Sequence, residues 1–393
     1  MDVELKTGGS RPFPLRRIGF VGGGQLARMA IYRGAKLGFH FTVLDPDPKA
    51  GAAPLADRVI TGGLYDRRAL TELVTSCEVT TFDIEHCDTA VLAELEGAGH
   101  LILPSPRLLQ TIQDKVLQKE RYLRAGLPVA PFVDKALADL GPRDFPVVQK
   151  ARTGGYDGRG VVLLRSADDL PKALPGDTAR REGSYLEACV PFVKELGVMV
   201  ARSASGQTEV YPVTEMIFDP HLNICTSVVA PAPLEPSTEV QARNLALAVV
   251  EALDGVGIFG VELFLTADGS LLVNETAPRP HNSGHYTMEA CRTCQFENHL
   301  RAVSGLPLGA PGFHSPAVMV NLLGTGAAGP TRLAGIDKAL CIPGFSLHLY
   351  GKAECRPGRK MGHFTVTAET PEQALVRARE IENALRVTGG TNG

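Results

Sequence analysis

The chain has 393 residues, 44% of them apolar and 21% charged, and carries a net charge of −3. That length suffices for the cores of two or three domains, while an acidic balance without tryptophan excludes the basic, stacking-rich footprint of a nucleic-acid binder. No apolar run approaches the roughly 18 residues that span a bilayer, and the N-terminus lacks a charged-then-apolar signal pattern, so no membrane association and a cytoplasmic location are expected.

Residues 1–17 have no periodicity and read as a flexible leader. Ile18 to Val21 is a short buried-type strand, Gly22-Gly23-Gly24-Gln25 a turn, Leu26 to Lys36 a helix, and Phe39 to Leu44 a second strand ending in Asp45. Further strands are predicted at 58–60, 79–82 and 100–103 with helices between them, an alternation that implies a parallel α/β sheet. Asp114 to Ala125 is a charged helix stopped by Gly126. From Phe145 to about Val200 the runs turn β-rich (147–150, 161–164, 185–187, 198–200) and read as a small α+β unit with a glycine-rich hairpin loop. Met288 to Val303 has amphipathic helical spacing, strands are expected at 317–323 and 346–350, and the end, Thr388 to Gly393, is expected to fray. The 8 cysteines are scattered, and Cys291-Arg292-Thr293-Cys294 lacks the second pair of a zinc site, so helix packing accounts for it.

The chemistry concentrates in Asn274-Glu275-Thr276-Ala277-Pro278-Arg279-Pro280-His281-Asn282-Ser283-Gly284-His285, together with Glu262. The two glutamates lie at or next to the ends of β-type runs separated by Asp268-Gly269, a hairpin signal, so pairing would set the carboxylates side by side. Adjacent carboxylates repel unless a cation separates them, and oxygen ligands favour Mg²⁺ carrying nucleotide phosphates. A solvated strand face is the ordinary fate of such residues, but it leaves the arginine and histidines that follow without a role. Gly154, Gly155, Gly158 and Gly160 form a loop whose N–H groups can approach phosphates; with no Walker A pattern in the chain, Lys115 and Lys150 are the cations available to it. Gly22-x-Gly24-x-x-Ala27 after a strand, with Asp45 downstream, is the pattern of a dinucleotide site, so a nicotinamide dehydrogenase is the rival class. For the basic turn Arg356-Pro357-Gly358-Arg359-Lys360, an anion site and solvated surface both stay open.

Taken together, Arg152 to Gly160, Glu262, Asn274 to His285 and Arg356 to Lys360, with Gly22 to Leu26, Asp114-Lys115 and Gln118-Lys119, resemble the PurK family of ATP-grasp N5-carboxyaminoimidazole ribonucleotide synthetases. The likeness runs from about Ile18 to His363. It implies a three-domain α/β and α+β ATP-grasp fold: a Rossmann-like domain over 18–113, an ATP-grasp domain over 114–306 with a β-rich lid at about 120–190, and a C-terminal domain over 307–393. The implied reaction joins ATP, bicarbonate and 5-aminoimidazole ribonucleotide through carboxyphosphate, with Mg²⁺ or Mn²⁺ on Glu262 and Glu275.

By position, the resemblance implies that Lys115, Lys150, Gly155, Tyr156, Asp157, Gly158, Arg159, Gly160, Glu187, Ala188, Cys189, Val190, Glu195, Asn274 and Glu275 hold the nucleotide. Tyr156, Asp157, Arg279 and Lys360 are the implied catalytic residues, Asp157 as base or as orienter. Gln25, Leu26, Glu85, Arg159, His281, Asn282, Ser283, Arg359 and Lys360 would surround the ribonucleotide. Phe218 stands where many family members carry a histidine, with His221 nearby as a substitute. The resemblance also implies a homodimer and hand-off to a PurE-type mutase; some eukaryotic relatives continue into such a domain, and Thr388 to Gly393 is either a native tail or a cut linker. A formate-dependent glycinamide ribonucleotide transformylase is the alternative that keeps the fold.

Overall fold

The structure is a computed structural model of the chain that describes residues 17–155, 160–174, 183–219 and 223–390. The first apolar run becomes the strand Arg17–Val21, buried from Ile18 onward, in a four-stranded parallel sheet. The order is Arg58–Thr61, His40–Asp45, Arg17–Val21, Val79–Phe82. The crossover helix Arg67–Ser76 starts on a polar cap, Asp66 accepting from the N–H groups of Arg68 and Ala69, and beyond this sheet Asp114 accepts from those of Val116 and Leu117 ahead of Lys115–Arg124. The strand expected at 100–103 is only a bridge from Ile102 to Thr80. Leu101 and Leu103 each bond Thr80, and Pro104, having no N–H, ends the ladder there.

A second four-stranded sheet takes the order Phe132–Val133, Ser184–Ala188, Val147–Ala151, Val161–Leu164, around a small core of Val147, Leu164 and Leu186. The run at 198–200, expected in this unit, belongs elsewhere. It is the middle of Phe192–Arg202, which is buried on both faces between the helices Pro236–Leu253 and Gln295–Ser304 and lies in the largest sheet.

That sheet has nine antiparallel strands among the described residues. From one edge it runs Leu271–Ala277, Gly257–Thr266, Phe192–Arg202, Thr214–Phe218, Cys225–Ala230, Ala317–Leu323, Lys360–Thr367, Phe345–Leu349, with Thr208–Val210 paired beside Phe192–Arg202. One sheet therefore carries both Glu262 and Lys360. The helix expected over 288–303 is two pieces, Thr287–Ala290 and Gln295–Ser304. Its break has a cause in hydrogen bonding: the Arg292 N–H donates to Pro311 and the Gln295 N–H to the Thr287 hydroxyl, so neither continues a helical ladder. Arg386–Gly389, expected to fray in part, instead pairs with Gly329–Ala334 and Thr325–Gly326. Among the described residues no helix is long and apolar enough to cross a membrane.

Candidate active site

The parallel sheet, the small antiparallel sheet and the nine-stranded sheet with their flanking segments contribute to one cleft of about 930 Å³. The hairpin at Asp268-Gly269 does what its sequence implies: Gly257–Thr266 and Leu271–Ala277 pair antiparallel, and Glu262 stands opposite Glu275 in the register. Both line the cleft. Burial, then the charges of Glu275 and Glu195, push the Glu262 carboxyl up to about 8. Burial would also raise Glu275, but the Lys115 ammonium bonded to it holds it below its ordinary value. The Asn274 amide donates to Glu262 at 3.2 Å and accepts from Lys150 at 3.0 Å. Among the described residues no three His, Cys, Asp or Glu side chains converge as a metal site. Two opposed carboxylates, one of them holding its proton for want of a counter-charge, fit a hard divalent cation whose remaining positions go to phosphate oxygens and water.

The cations come from both walls. Lys150, on the small sheet, lies 2.6 Å from Glu187 and reaches Asn274 on the large one. Lys119 pairs with the other oxygen of Glu187 and sits 4.8 Å from the Phe132 ring centroid. Glu187, buried between two ammonium groups, is held below its ordinary pKa despite the opposing effect of burial. Ala188, Cys189 and Val190 continue along the cleft wall. Glu195 faces Phe264 across the strand pair and is pushed by burial up to about 7. The Phe264 ring stacks on Phe192 at 4.6 Å, giving this end an apolar side.

At the other end, Arg279 forks onto Glu85, with Nη2 at 2.9 Å from Oε1. Burial would raise Glu85, yet the guanidinium takes it down to about 2. Burial, with Arg279 and Lys360 nearby, lowers His281 to about 4. Asn282 exchanges amide hydrogen bonds with Asn321 at 2.9 and 2.8 Å. This loop crosses the sheet where Gly260 lies, and a Cβ there would meet the His281 Cβ at 2.4 Å.

Of the residues picked from the sequence, Gln25, Leu26, Glu85, Lys115, Lys150, Gly155, Glu187 to Val190, Glu195, Glu262, Asn274, Glu275, Arg279, His281, Asn282 and Lys360 line the cleft. Three described residues do not. Ser283 is buried behind the wall, its hydroxyl 2.9 Å from His281 Nδ1. Gly160 bonds back to Ala151. Arg359 turns its guanidinium to the Glu354 carbonyl at 2.6 Å, while its neighbour Lys360 enters the cleft. Tyr156, Asp157, Gly158, Arg159 and His221 lie outside the described residues. Phe218 is in the cleft wall.

The N–H groups of the glycine turn are taken by the chain itself. Gly23 N–H donates to Asp45 at 2.8 Å, and Gly24 and Ala27 donate to Asp83 at 3.1 and 2.6 Å, so carboxylates of the chain itself fill the place a pyrophosphate needs. Asp83, its carboxyl pushed up by burial, was not picked from the sequence; its signal is its position at the end of the strand beside Arg17–Val21. Arg152, on the cleft wall and paired with Asp114 at 2.6 Å, opens the glycine-loop motif, and the sequence assigned it no role.

Opposed carboxylates on one sheet, a lysine reaching from a second and another from the helix beside it define an ATP-grasp enzyme. Residues 121–296 match the ATP-grasp domain model, 15–113 that of the ribonucleotide synthetase preATP-grasp domain, and 317–377 that of the phosphoribosylaminoimidazole carboxylase C-terminal domain. The N5-carboxyaminoimidazole ribonucleotide synthase of Synechococcus elongatus is 39% identical over 385 residues, 94% of this chain and 95% of that protein. The N5-carboxyaminoimidazole ribonucleotide synthetase of Thermotoga maritima superposes with a TM-score of 0.88 at 47% identity, over 96% of this chain and all of that one. The Aspergillus clavatus synthase, solved with ADP and 5-aminoimidazole ribonucleotide, gives 0.84 at 35% identity over 94% and 98%. The chain belongs to the N5-carboxyaminoimidazole ribonucleotide synthase family.

Proposed function

We propose that this chain carboxylates 5-aminoimidazole ribonucleotide at its exocyclic amine, consuming ATP and bicarbonate, in purine biosynthesis. The observation that carries this reading is the continuity of one cleft from the opposed Glu262 and Glu275 to Arg279, His281 and Lys360, which puts a phosphoryl donor and an anionic acceptor in reach of each other.

Bicarbonate is a poor electrophile, and its oxygen must first attack the γ-phosphorus, releasing ADP and forming carboxyphosphate. The substrate amine then attacks the carboxyl carbon, phosphate leaves with the bridging oxygen, and the nitrogen gives up one proton. Lys115 and Lys150 leave their glutamate partners for phosphate oxygens, and Glu187 to Val190 with Glu195 take the nucleoside. Glu262 and Glu275 would hold Mg²⁺ or Mn²⁺, which supplies charge neutralisation at the transferring phosphoryl group. Arg279, forked and always charged, holds the bicarbonate-derived anion; Glu85 keeps it oriented until substrate arrives. Gln25, Leu26, His281 and Asn282 enclose the ribonucleotide, and Lys360 meets its phosphate. Ser283 acts from behind through His281. Tyr156 to Arg159 enter this reading through the family resemblance alone, and the division at 18–113, 114–306 and 307–393 stands with it. A cytoplasmic homodimer passing an unstable carbamate to a PurE-type mutase completes the reading.

ADP release measured with Mg-ATP and bicarbonate, with and without aminoimidazole ribonucleotide, tests it. Release that depends on the ribonucleotide is expected. Release only with glycinamide ribonucleotide and formate would move the substrate to the transformylase class.

A further inference from the structure

His285 belongs to the histidine-rich loop, yet none of the roles above uses it. The Gln295 amide fixes its chemistry. The His281 N–H donates to Gln295 Oε1 at 2.9 Å, which identifies that atom as the oxygen; Gln295 Nε2 must then donate, to the His281 carbonyl at 2.9 Å and to His285 Nδ1 at 3.0 Å. With Nδ1 accepting, the single proton of a neutral His285 is on Nε2. Neutrality is imposed by the surroundings: the ring is buried, and His281, Lys360, His348 and Arg279 all oppose a positive charge on it. One face of the ring is against His363, at 4.7 Å between centroids, and Phe296 packs at 5.8 Å. His285 nevertheless lines the cleft, and its Nε2 has no hydrogen-bond partner among the described residues.

We infer that His285 is a substrate-binding residue: a fixed, uncharged Nε2–H donor for a neutral acceptor of the ribonucleotide, an imidazole nitrogen or a ribose oxygen. The inference rests on the carboxylase reading and deepens it. Arginine and lysine already serve the anions at this end. A donor whose charge cannot change complements them, because it recognises an uncharged acceptor equally well across the working pH range.

The test uses the full chain and steady-state ADP release. His285→Leu removes the donor and is expected to raise the KM for aminoimidazole ribonucleotide roughly tenfold, with the KM for ATP unchanged. His285→Gln, whose amide nitrogen falls near the position of Nε2, is expected to recover most of that loss. If the leucine variant fails to fold by thermal melt, His285→Asn, which places its amide near Nδ1 and offers nothing at Nε2, takes its place. An unchanged KM for the ribonucleotide in a folded variant, or equal losses for ribonucleotide and ATP, would overturn the inference while the carboxylase reading stands. No ribonucleotide-dependent ADP release from the unmodified chain would overturn both.

Discussion

The Lys115 ammonium, on the first turn of its helix, rests on the Glu275 carboxylate at the far side of the cleft, so a cation already occupies one half of the opposed carboxylate pair. A divalent metal and a lysine compete for the same oxygens there, and nucleotide phosphates give the lysine somewhere to go. Glu275→Gln is therefore expected to lower ribonucleotide-dependent ADP release by at least about a hundredfold while far-UV circular dichroism keeps its native form. Near-normal turnover in that variant would remove Glu275 from the metal site.

Acid lability should come from histidines and set in early. His299 is buried and held neutral at about 3, with the Ile258 N–H donating to Nδ1 at 3.3 Å and Thr81 2.9 Å from Nε2. His281 lies at about 4 and His285 well below its ordinary value, both chiefly through burial. Each binds a proton when unfolded below about 6.5 but not when folded. The stability they contribute is present above pH 6.5 and is lost as the pH falls from there towards the folded values, at up to about 1.4 kcal/mol per unit for each group. Urea midpoints between pH 7.5 and 5 should fall accordingly, and His299→Gln should flatten the slope by about one proton.

Glu187 is the pivot of a buried triad, its two oxygens taken by Lys119 and Lys150. Glu187→Gln leaves two ammonium groups without a counter-charge and should cost roughly 3 kcal/mol or more in urea unfolding. Lys119→Met, which leaves Glu187 with Lys150, should cost clearly less. The reverse order would mean that the triad is not the unit holding the small sheet to its helix.

A methyl group at Gly260 has no room, since it would fall 2.4 Å from His281 Cβ. Gly260→Ala should destabilise by roughly 1–3 kcal/mol and displace the His281 loop. Ribonucleotide affinity should then suffer more than ATP affinity, and parallel loss of both would show that the strain spreads beyond that loop.

The carboxylate pair was legible in the sequence because most of what makes it is local, two β-type runs and a turn between them; the register followed from the turn would set Asn274 opposite Glu262, and a shift between Glu262 and Leu263 brings Glu275 there instead. Glu262 sits mid-strand rather than near a strand end, but its partner is the expected one. The glycine turn misled for the opposite reason. Asp83, which caps it together with Asp45, arrives on a parallel strand that reaches the turn only after a crossover, and no spacing rule records that. The broken helix at 287–304 kept its apolar period across the gap, because periodicity reports which side chains are buried and not where the N–H groups of Arg292 and Gln295 go. Arg359 and Lys360 are adjacent in sequence, and only the register of the strand Lys360–Thr367 decides that the lysine enters the cleft.

The central claim is phosphoryl transfer to bicarbonate, and oxygen transfer reads it most directly. The enzyme would be supplied with ¹⁸O-labelled bicarbonate, Mg-ATP and aminoimidazole ribonucleotide, and the released phosphate analysed by ³¹P NMR before the label exchanges with water. One ¹⁸O per phosphate, formed in step with ADP, is the predicted result. Ribonucleotide-dependent phosphate without the label would contradict carboxyphosphate formation, and with it the roles of Arg279 and the opposed glutamates.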